Sequence, residues 1–484
     1  MYDLMLDKTA KLPLIRQLYD QVRERILDGR LAAYDNLPAT RKLAAHYRIS
    51  RNVVLEAYDQ LRTEGFLESR QGSYTFVAPG ARLAGPEPAP PPTRPGPPPA
   101  PDVIEFRYGL PALDLFPRRA WQKAFAATLA AIPARYLGYS DSAGCPELRA
   151  VLAAYLFRTR GVRCSPDQVV VTAGATQALA LAARLLLAGN RKVIVENPLN
   201  REVSDYLVAL GCSLAPLPLD GSGLQTGLLA GHAADPPCFT LVTPSLQFPT
   251  GGLLPIQRRV QLINFARGTG SYVVEDDYEN EFAYAGNPVS SLQGLAPEQV
   301  AYIGTFSKTL APCLRLGYLI LPPALVGPFR RLDWFATQQP SAVDQLTLAA
   351  FITSGRLARH VARMVRTYQA RRAAVVRELA RRFGDGARIL SGPAGLHLTV
   401  AFPGMAFSPA VLDSIAEHGV RVYAVGDHIA GDGGELADQL ILGFGSLDEA
   451  AIAAGIERLG LALAAVRRRA GRQCAGNNGT AMVK

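Results

Sequence analysis

The chain has 484 residues, 51 Lys and Arg against 41 Asp and Glu for a formal net charge of +10, 36 prolines and six cysteines. That length sets an expectation of about three domains, and 49% apolar with only 19% charged residues excludes a disordered chain. No apolar run reaches the ~18 residues of a membrane helix, Met1–Asp7 has no signal-peptide pattern and no CxxC pair occurs, so the sequence predicts a cytoplasmic protein with no membrane segment, disulfide framework or metal site.

The first 78 residues predict three helices and a hairpin. Leu14, Leu18, Val22 and Ile26 recur at i, i+4 spacing, which gives a helix over Leu14–Asp28 stopped by Gly29. Thr40 and Ser50 are candidate N-caps of two short helices joined by about three residues, a helix-turn-helix. Gly65–Arg70 and Ser73–Val77 alternate around Gln71-Gly72 and read as a β-hairpin wing. The 12 basic and 10 acidic residues of this unit nearly cancel, yet Asn36–Leu55 holds Arg41, Lys42, Arg48 and Arg51 with no carboxylate. Such a stripe suits phosphate contacts, with Arg70 on the wing, the Ser50 helix start as an anion site, and Arg51 and Asn52 as base readers. The alternative is a small helical protein-docking domain with a basic face.

Leu37-Pro38-Ala39-Thr40-Arg41 and Ile49-Ser50-Arg51-Asn52-Val53-Val54, continuing through Ala57-Tyr58, Leu61 and Glu64-Gly65, resemble the winged helix-turn-helix of GntR-type bacterial regulators. The resemblance implies that this unit binds promoter DNA.

Residues 79–101 hold 11 prolines in 23 positions, which predicts a semi-rigid polyproline II linker. The boundaries expected are therefore a reader over 1–78, a linker over 79–101 and an effector unit over 102–484. Within the last, a large lobe is expected at about 150–325 and a small lobe at about 326–470 together with 102–149. Apolar runs at Val169–Thr172, Lys192–Glu196, Phe239–Thr243, Ser271–Glu275, Gln299–Ile303 and Gly317–Leu321, separated by helix-length segments, predict an α/β layer with a largely parallel sheet. A long Arg-rich helix over Arg356–Phe383, strands over Gly395–Ala401 and Gln439–Phe444, a helix over Leu447–Ala465 and a basic disordered tail (Arg467, Arg468, Arg469, Arg472) follow.

Lys308 lies among apolar and hydroxyl residues in Thr305-Phe306-Ser307-Lys308-Thr309-Leu310, where desolvation lowers an amine's pKa and permits a Schiff base. Thr305, Ser307 and Arg315 are suited to hold a phosphate beside it. Upstream, a carboxylate in Val274-Glu275-Asp276-Asp277-Tyr278 ends a buried strand, where it needs a cationic partner such as a pyridinium. Thr172-Ala173-Gly174-Ala175-Thr176-Gln177 opens a helix directly after a strand and offers backbone N–H groups to an anion. In the order glycine turn, acid, lysine, arginine, these motifs describe a pyridoxal 5′-phosphate (PLP) site.

The large unit resembles fold-type I aminotransferases, and together with the reader it resembles the MocR/GabR regulators. Val274-Glu275-Asp276-Asp277-Tyr278 with Glu281-Phe282, and Gly304–Leu310 with Pro312, carry the closest matches. The resemblance implies a multidomain fold: a winged helix-turn-helix plus a PLP-dependent transferase-like α/β unit with a large, mostly parallel sheet and a smaller α/β lobe. It implies that Lys308 carries the cofactor as an aldimine, that Asp276 pairs with the pyridine nitrogen and that Tyr278 bonds the ring hydroxyl. Ala175, Thr176, Thr305 and Arg315 would hold the phosphate, and Tyr139 would reach the phosphate of the partner in a head-to-tail homodimer; core packing is the other reading of Tyr139.

The departures bear on function. Phe248 stands where aminotransferases have the asparagine of Asn-Pro-x-Gly, Ser245-Leu246-Gln247 replaces Ser-His-Gln, and Pro198-Leu199-Asn200 replaces Pro-Gly-Tyr. Ile441 stands where the enzymes have a substrate-carboxylate arginine, and Arg201 is a candidate replacement. The reading that follows is a ligand-responsive transcriptional regulator whose sensor domain is not an enzyme and responds to PLP, an amine or an amino acid. A working aminotransferase with a vestigial reader, and a regulator without cofactor, stand beside it as alternatives.

Overall fold

The structure, a computed structural model, describes residues 4–69, 74–81, 102–139, 141–187, 189, 191–284, 289–332, 339–430 and 436–478, with side chains up to 469. The chain divides into two compact units, residues 1–98 and 99–484. Arg70, the wing tip Gln71-Gly72 and nearly all of the predicted linker lie outside the described residues.

The first unit has helices α1 (Leu14–Leu27), α2 (Thr40–Tyr47) and α3 (Arg51–Thr63) and the hairpin of β1 (Leu67–Ser69) with β2 (Thr75–Val77). Leu18, Val22 and Ile26 of α1 meet Leu43 of α2 and Val54, Ala57 and Leu61 of α3 in one buried core. Ser50 caps α3 by accepting from the Val53 amide at 3.3 Å. Thr40 is not an N-cap. The Ala39 carbonyl accepts from both Lys42 and Leu43, so the helix starts there and Thr40 falls inside its first turn.

The second unit starts with β3 (Ile104–Glu105), α4 (Arg118–Ala131) and α5 (Pro146–Arg160). Its large sheet then takes β4 (Val169–Thr172), β5 (Lys192–Asn197), β6 (Ser213–Asp220), β7 (Gly223–Leu224), β8 (Phe239–Val242), β9 (Tyr272–Asp277), β10 (Val300–Thr305) and β11 (Gly317–Ile320), in the order β4-β11-β10-β9-β8-β5-β6-β7. Five strands from β10 to β6 are parallel, and β11 lies antiparallel between β10 and β4. The carboxyl ends of β4, β5, β8, β9 and β10 therefore share one edge, where open α/β sheets place ligands. β4, β8 and β10 are buried throughout, which explains why they read as largely apolar runs without a polar alternate face.

Helices α6 (Ala175–Leu186), α7 (Arg201–Ala209) and α8 (Ile256–Thr269) connect these strands, and α9 (Pro323–Arg330), α10 (Ala342–Thr353) and α11 (Arg356–Phe383) follow them. The smaller lobe has β12 (Arg388–Ile389), β13 (His397–Ala401), α12 (Pro409–Ala416), β14 (Val420–Arg421), β15 (Tyr423–Ala424), β16 (Gln439–Gly443) and α13 (Glu449–Asn478). Its antiparallel sheet runs β12-β13-β16-β15, and β14 pairs with β3.

Three expectations change. Segment 102–149 does not join the small lobe as a block: Phe106 and Ala112 enter its core, but Trp121, Ala124 and Leu148 pack with Val169 and Tyr302 on the large sheet. Phe351 of α10 joins that second cluster, so the lobe boundary also lies beyond residue 326. Arg467–Arg469 are helical, because α13 runs on past Ala465, and Arg469 reaches the Ser414 hydroxyl at 3.3 Å.

The Ser50 cap is solvent-exposed and lies within the first unit. Replacing it (Ser50→Ala) should cost the reader unit about 1 kcal/mol. Thermal unfolding of the full chain should show the reader transition lowered and the transition of the larger unit unmoved.

Candidate functional site

A cavity of about 830 Å³ opens at the carboxyl edge of the large sheet. Each strand end delivers a side chain or turn to it: Ala175 and Thr176 after β4, Leu199 and Asn200 after β5, Phe248 after β8, Asp276 and Tyr278 at β9, and Thr305, Ser307 and Lys308 after β10. Arg315 joins from the turn before β11. The fold thus brings seven of the eight expected cofactor residues to one cavity, although they span positions 175 to 315. Tyr139 is the exception, 90% exposed and absent from the cavity wall.

Strand alternation divides the acidic run of β9 into two faces. Glu275 accepts from the amides of Leu292 and Gln293 at 2.9 and 2.8 Å, and Asp277 pairs with Arg160 at 2.6 Å, both side chains 5% exposed. The face of Asp276 and Tyr278 has no such partners. Asp276 Oδ1 and the Tyr278 hydroxyl are buried with no hydrogen bond among the described residues. Burial, with the Asp277 charge added, pushes the Asp276 carboxyl up to about 7. Burial likewise lowers the Lys308 amine, partly offset by Glu279 and Asp276. Lys308 Nζ donates to the Gly109 carbonyl.

One polar corner of the cavity lies beside Gly174. Its φ of +86° favours glycine, and a Cβ there would lie 3.3 Å from the Arg315 guanidinium. Arg315 donates to the Ala173 carbonyl at 2.6 Å, beside the first turn of α6. Thr305 Oγ1 lies 3.0 Å from Ser307 Oγ and accepts from the Ser307 amide at 3.1 Å. A ring with a basic nitrogen, a hydroxyl and a phosphate would find a partner for each in Asp276, Tyr278 and this corner. The orphaned carboxyl and phenol are what such a group would satisfy.

Several wall residues were not foreseen: Glu105, Arg107, Tyr108, Glu202, Glu279, His397, Arg421 and Tyr423. The parallel pairing of Ile104 with Val420 brings the first three beside Arg421 and Tyr423, and pairings across some 300 residues leave no local pattern. Arg201 does not line the cavity; it faces Asp205 one turn along α7 at 3.5 Å, both side chains well exposed. It is no replacement for the carboxylate arginine. Ile441 is fully buried and packs with Phe248 and Val425.

On the first unit, Arg41, Lys42, Arg48, Ser50, Arg51 and Asn52 are all exposed. Elsewhere on that unit arginines are neutralised, as in Arg16–Asp20, Arg30–Asp28 and Arg62–Asp59. No described carboxylate lies within ion-pair distance of Arg41, Lys42, Arg48 or Arg51. Arg48 ends α2 in the left-handed region at φ +52°.

Residues 14–77 match the family of bacterial regulatory proteins, gntR family, and residues 101–426 match aminotransferase class I and II. The probable rhizopine catabolism regulatory protein MocR of Rhizobium meliloti is 36% identical over 82% of this chain and 84% of its own. The chain belongs to the gntR family of bacterial regulatory proteins, in its MocR-type branch. The pyridoxine biosynthesis regulator PdxR of Corynebacterium glutamicum is 33% identical over 90% of this chain and 92% of its own. Among solved structures, the alpha-aminoadipate aminotransferase of Thermus thermophilus, complexed with N-(5′-phosphopyridoxyl)-L-leucine, matches with a TM-score of 0.69 and 28% identity, covering 76% of this chain and 94% of that one. This MocR-type regulator of transcription therefore joins a DNA-binding type of helix-turn-helix to a fold whose family is PLP-dependent. Among the described residues, no helix is long and apolar enough to cross a membrane and no His/Cys/Asp/Glu cluster could hold a metal ion.

Glu196, Glu275, Asp276 and Glu281 are all pushed to about 7, chiefly by burial. An unfolded chain holds such carboxyls near 4. The folded state therefore binds the extra protons between about pH 4 and 7, and that stabilisation is lost as pH rises through 7. The unfolding temperature of the cofactor-free protein should be lower at pH 8 than at pH 6. Replacing one of the four (Asp276→Asn) should narrow the difference; an unchanged difference would contradict the assignment of Asp276.

Proposed function

We propose that this regulator binds PLP in the cavity at the carboxyl edge of its large sheet and couples occupancy of that cavity to promoter binding by its reader unit. The observation that carries the reading is the pair of unsatisfied polar groups, Asp276 Oδ1 and the Tyr278 hydroxyl, beside Lys308 in a cavity that Arg315 also lines. Each is costly alone and is relieved by one part of the same molecule.

In this reading Lys308 Nζ would hold the cofactor covalently, its pKa lowered by burial so that the neutral amine is accessible. The Asp276 carboxylate would pair with the ring nitrogen, and Tyr278 would donate to the ring hydroxyl. Thr305, Arg315 and the amides of Ala175 and Thr176 would hold the phosphate. When bound, PLP supplies an electrophilic carbon that amines can reach reversibly. Tyr139, exposed on its own subunit, reaches the phosphate of the partner in a head-to-tail homodimer.

The reader uses Arg41, Lys42 and Arg48 for phosphates, with Arg70 on the wing, the Ser50 end of α3 toward the backbone, and Arg51 and Asn52 toward base edges. The boundaries 1–78, 79–101 and 102–484 describe reader, linker and sensor. The absence of an arginine at Ile441, and of any substitute from Arg201, favours a sensor over a turning-over aminotransferase.

Titration of the purified protein with PLP should produce a visible absorbance band that Lys308→Ala removes. A band unchanged in Lys308→Ala would overturn the assignment. On DNA, Arg41→Ala should weaken binding and reduce the salt slope by about one; an unaltered slope would remove Arg41 from the phosphate-contacting set.

A further inference from the structure

Residues 4–12, which precede α1 and lie ahead of the matched residues 14–77, are strapped to the first unit. Leu4 is buried in the reader core, and its amide donates to the Tyr47 hydroxyl at 3.2 Å. Two glutamine side chains of α1 then bond the backbone of the segment. Gln21 accepts from the Met5 amide at 2.8 Å and donates to the Met5 carbonyl at 2.7 Å. Gln17, itself buried, accepts from the Asp7 amide at 2.8 Å and donates to the Asp7 and Leu12 carbonyls at 2.9 and 2.7 Å. The Asp7 carboxylate is occupied within the segment, where Oδ1 accepts from the amide and hydroxyl of Thr9 at 2.8 and 2.6 Å.

The segment delivers one cation to the helix-turn-helix. Lys8 Nζ donates to the Arg48 carbonyl at 2.6 Å, in the turn between α2 and α3 and two residues before the Ser50 cap. Lys8 is exposed, and no described carboxylate lies within ion-pair distance of it. An ammonium has three N–H donors, and the Arg48 carbonyl takes one. Leu4, Gln17 and Gln21 already hold the segment, so its attachment does not depend on this lysine. An exposed, unpaired ammonium fixed at the turn that carries Arg48 and leads into Arg51 suits an anion with several acceptor oxygens, as a nucleic-acid phosphate has. Because the side chain is tethered before binding, it loses less rotamer freedom in that contact than a free lysine would.

We infer that Lys8, carried by this strapped N-terminal segment, is a further DNA-contacting residue of the reader and donates to a backbone phosphate at the α2–α3 turn. The contact adds affinity and register without reading a base. The inference rests on the DNA-binding reading of the first unit and extends its surface to a segment ahead of the helix-turn-helix.

The affinity of the full-length protein for its own promoter region and for an unrelated duplex of equal length, each followed against salt concentration, tests it. Lys8→Gln keeps an N–H donor for the Arg48 carbonyl and removes the charge. It should lower affinity several-fold on both duplexes and reduce the slope of log affinity against log salt by about one. Lys8→Arg, which keeps the charge, should keep the wild-type slope. An unaltered slope in Lys8→Gln, or a loss of affinity confined to the promoter duplex, overturns the inference. A wild-type protein whose affinity is the same at every salt concentration fails the reader assignment instead, so the two failures are distinguishable.

Discussion

The alternation of strand β9 at its carboxyl end is the constraint on which the sensor unit depends. Held between β8 and β10, it must send Glu275 and Asp277 one way and Asp276 and Tyr278 the other. The first pair is satisfied inside the protein, by two backbone amides and by Arg160. The second pair is left buried without partners, at a cost of several kcal/mol if nothing arrives. A protein that maintains such a defect while satisfying its neighbours on both sides has a site rather than a flaw. The depressed basicity of Lys308, the glycine under Arg315 and the hydroxyls of Thr305 and Ser307 all belong to the same edge of the sheet.

Much of this was legible in the sequence, for local reasons. The six predicted strands of the large sheet all appear within a few residues of their expected bounds, since central strands of a parallel sheet are apolar on both faces. The candidate cofactor residues sit at strand ends and in the segments that follow them, where glycine, acid and lysine stand out against apolar runs. Ser50 was legible because its cap is a contact three residues long. Thr40 misled because the adjacent Ala39 carbonyl already starts the helix.

What the sequence hid is what the tertiary fold brings together. Arg107 and Arg421, Tyr108 and Tyr423, Glu279 and His397 reach the cavity through pairings across more than 100 residues, and none carries a local signature. The same holds for the apolar packing behind Phe248. Phe248 and Ile441 stand out singly as departures from the enzyme pattern, but only the fold shows that they share one buried cluster with Val425. Arg201 failed as a substitute for a geometric reason: it occupies the outer face of α7 beside Asp205. On the reading proposed above, the larger unit would keep the cofactor corner of an aminotransferase and differ from the enzymes at Phe248 and Ile441.

Coupling between such a cavity and DNA requires that the bound molecule favour one arrangement of the protein over another; affinity for the cavity alone shifts nothing. The direct measurement is the affinity of the full-length protein for its own promoter region at fixed salt, with and without saturating PLP, in the wild type and in Lys308→Ala. The account expects PLP to change the wild-type affinity several-fold and to leave Lys308→Ala unchanged, with both proteins binding DNA. Identical wild-type affinities with and without PLP, or an equal response in Lys308→Ala, would contradict it.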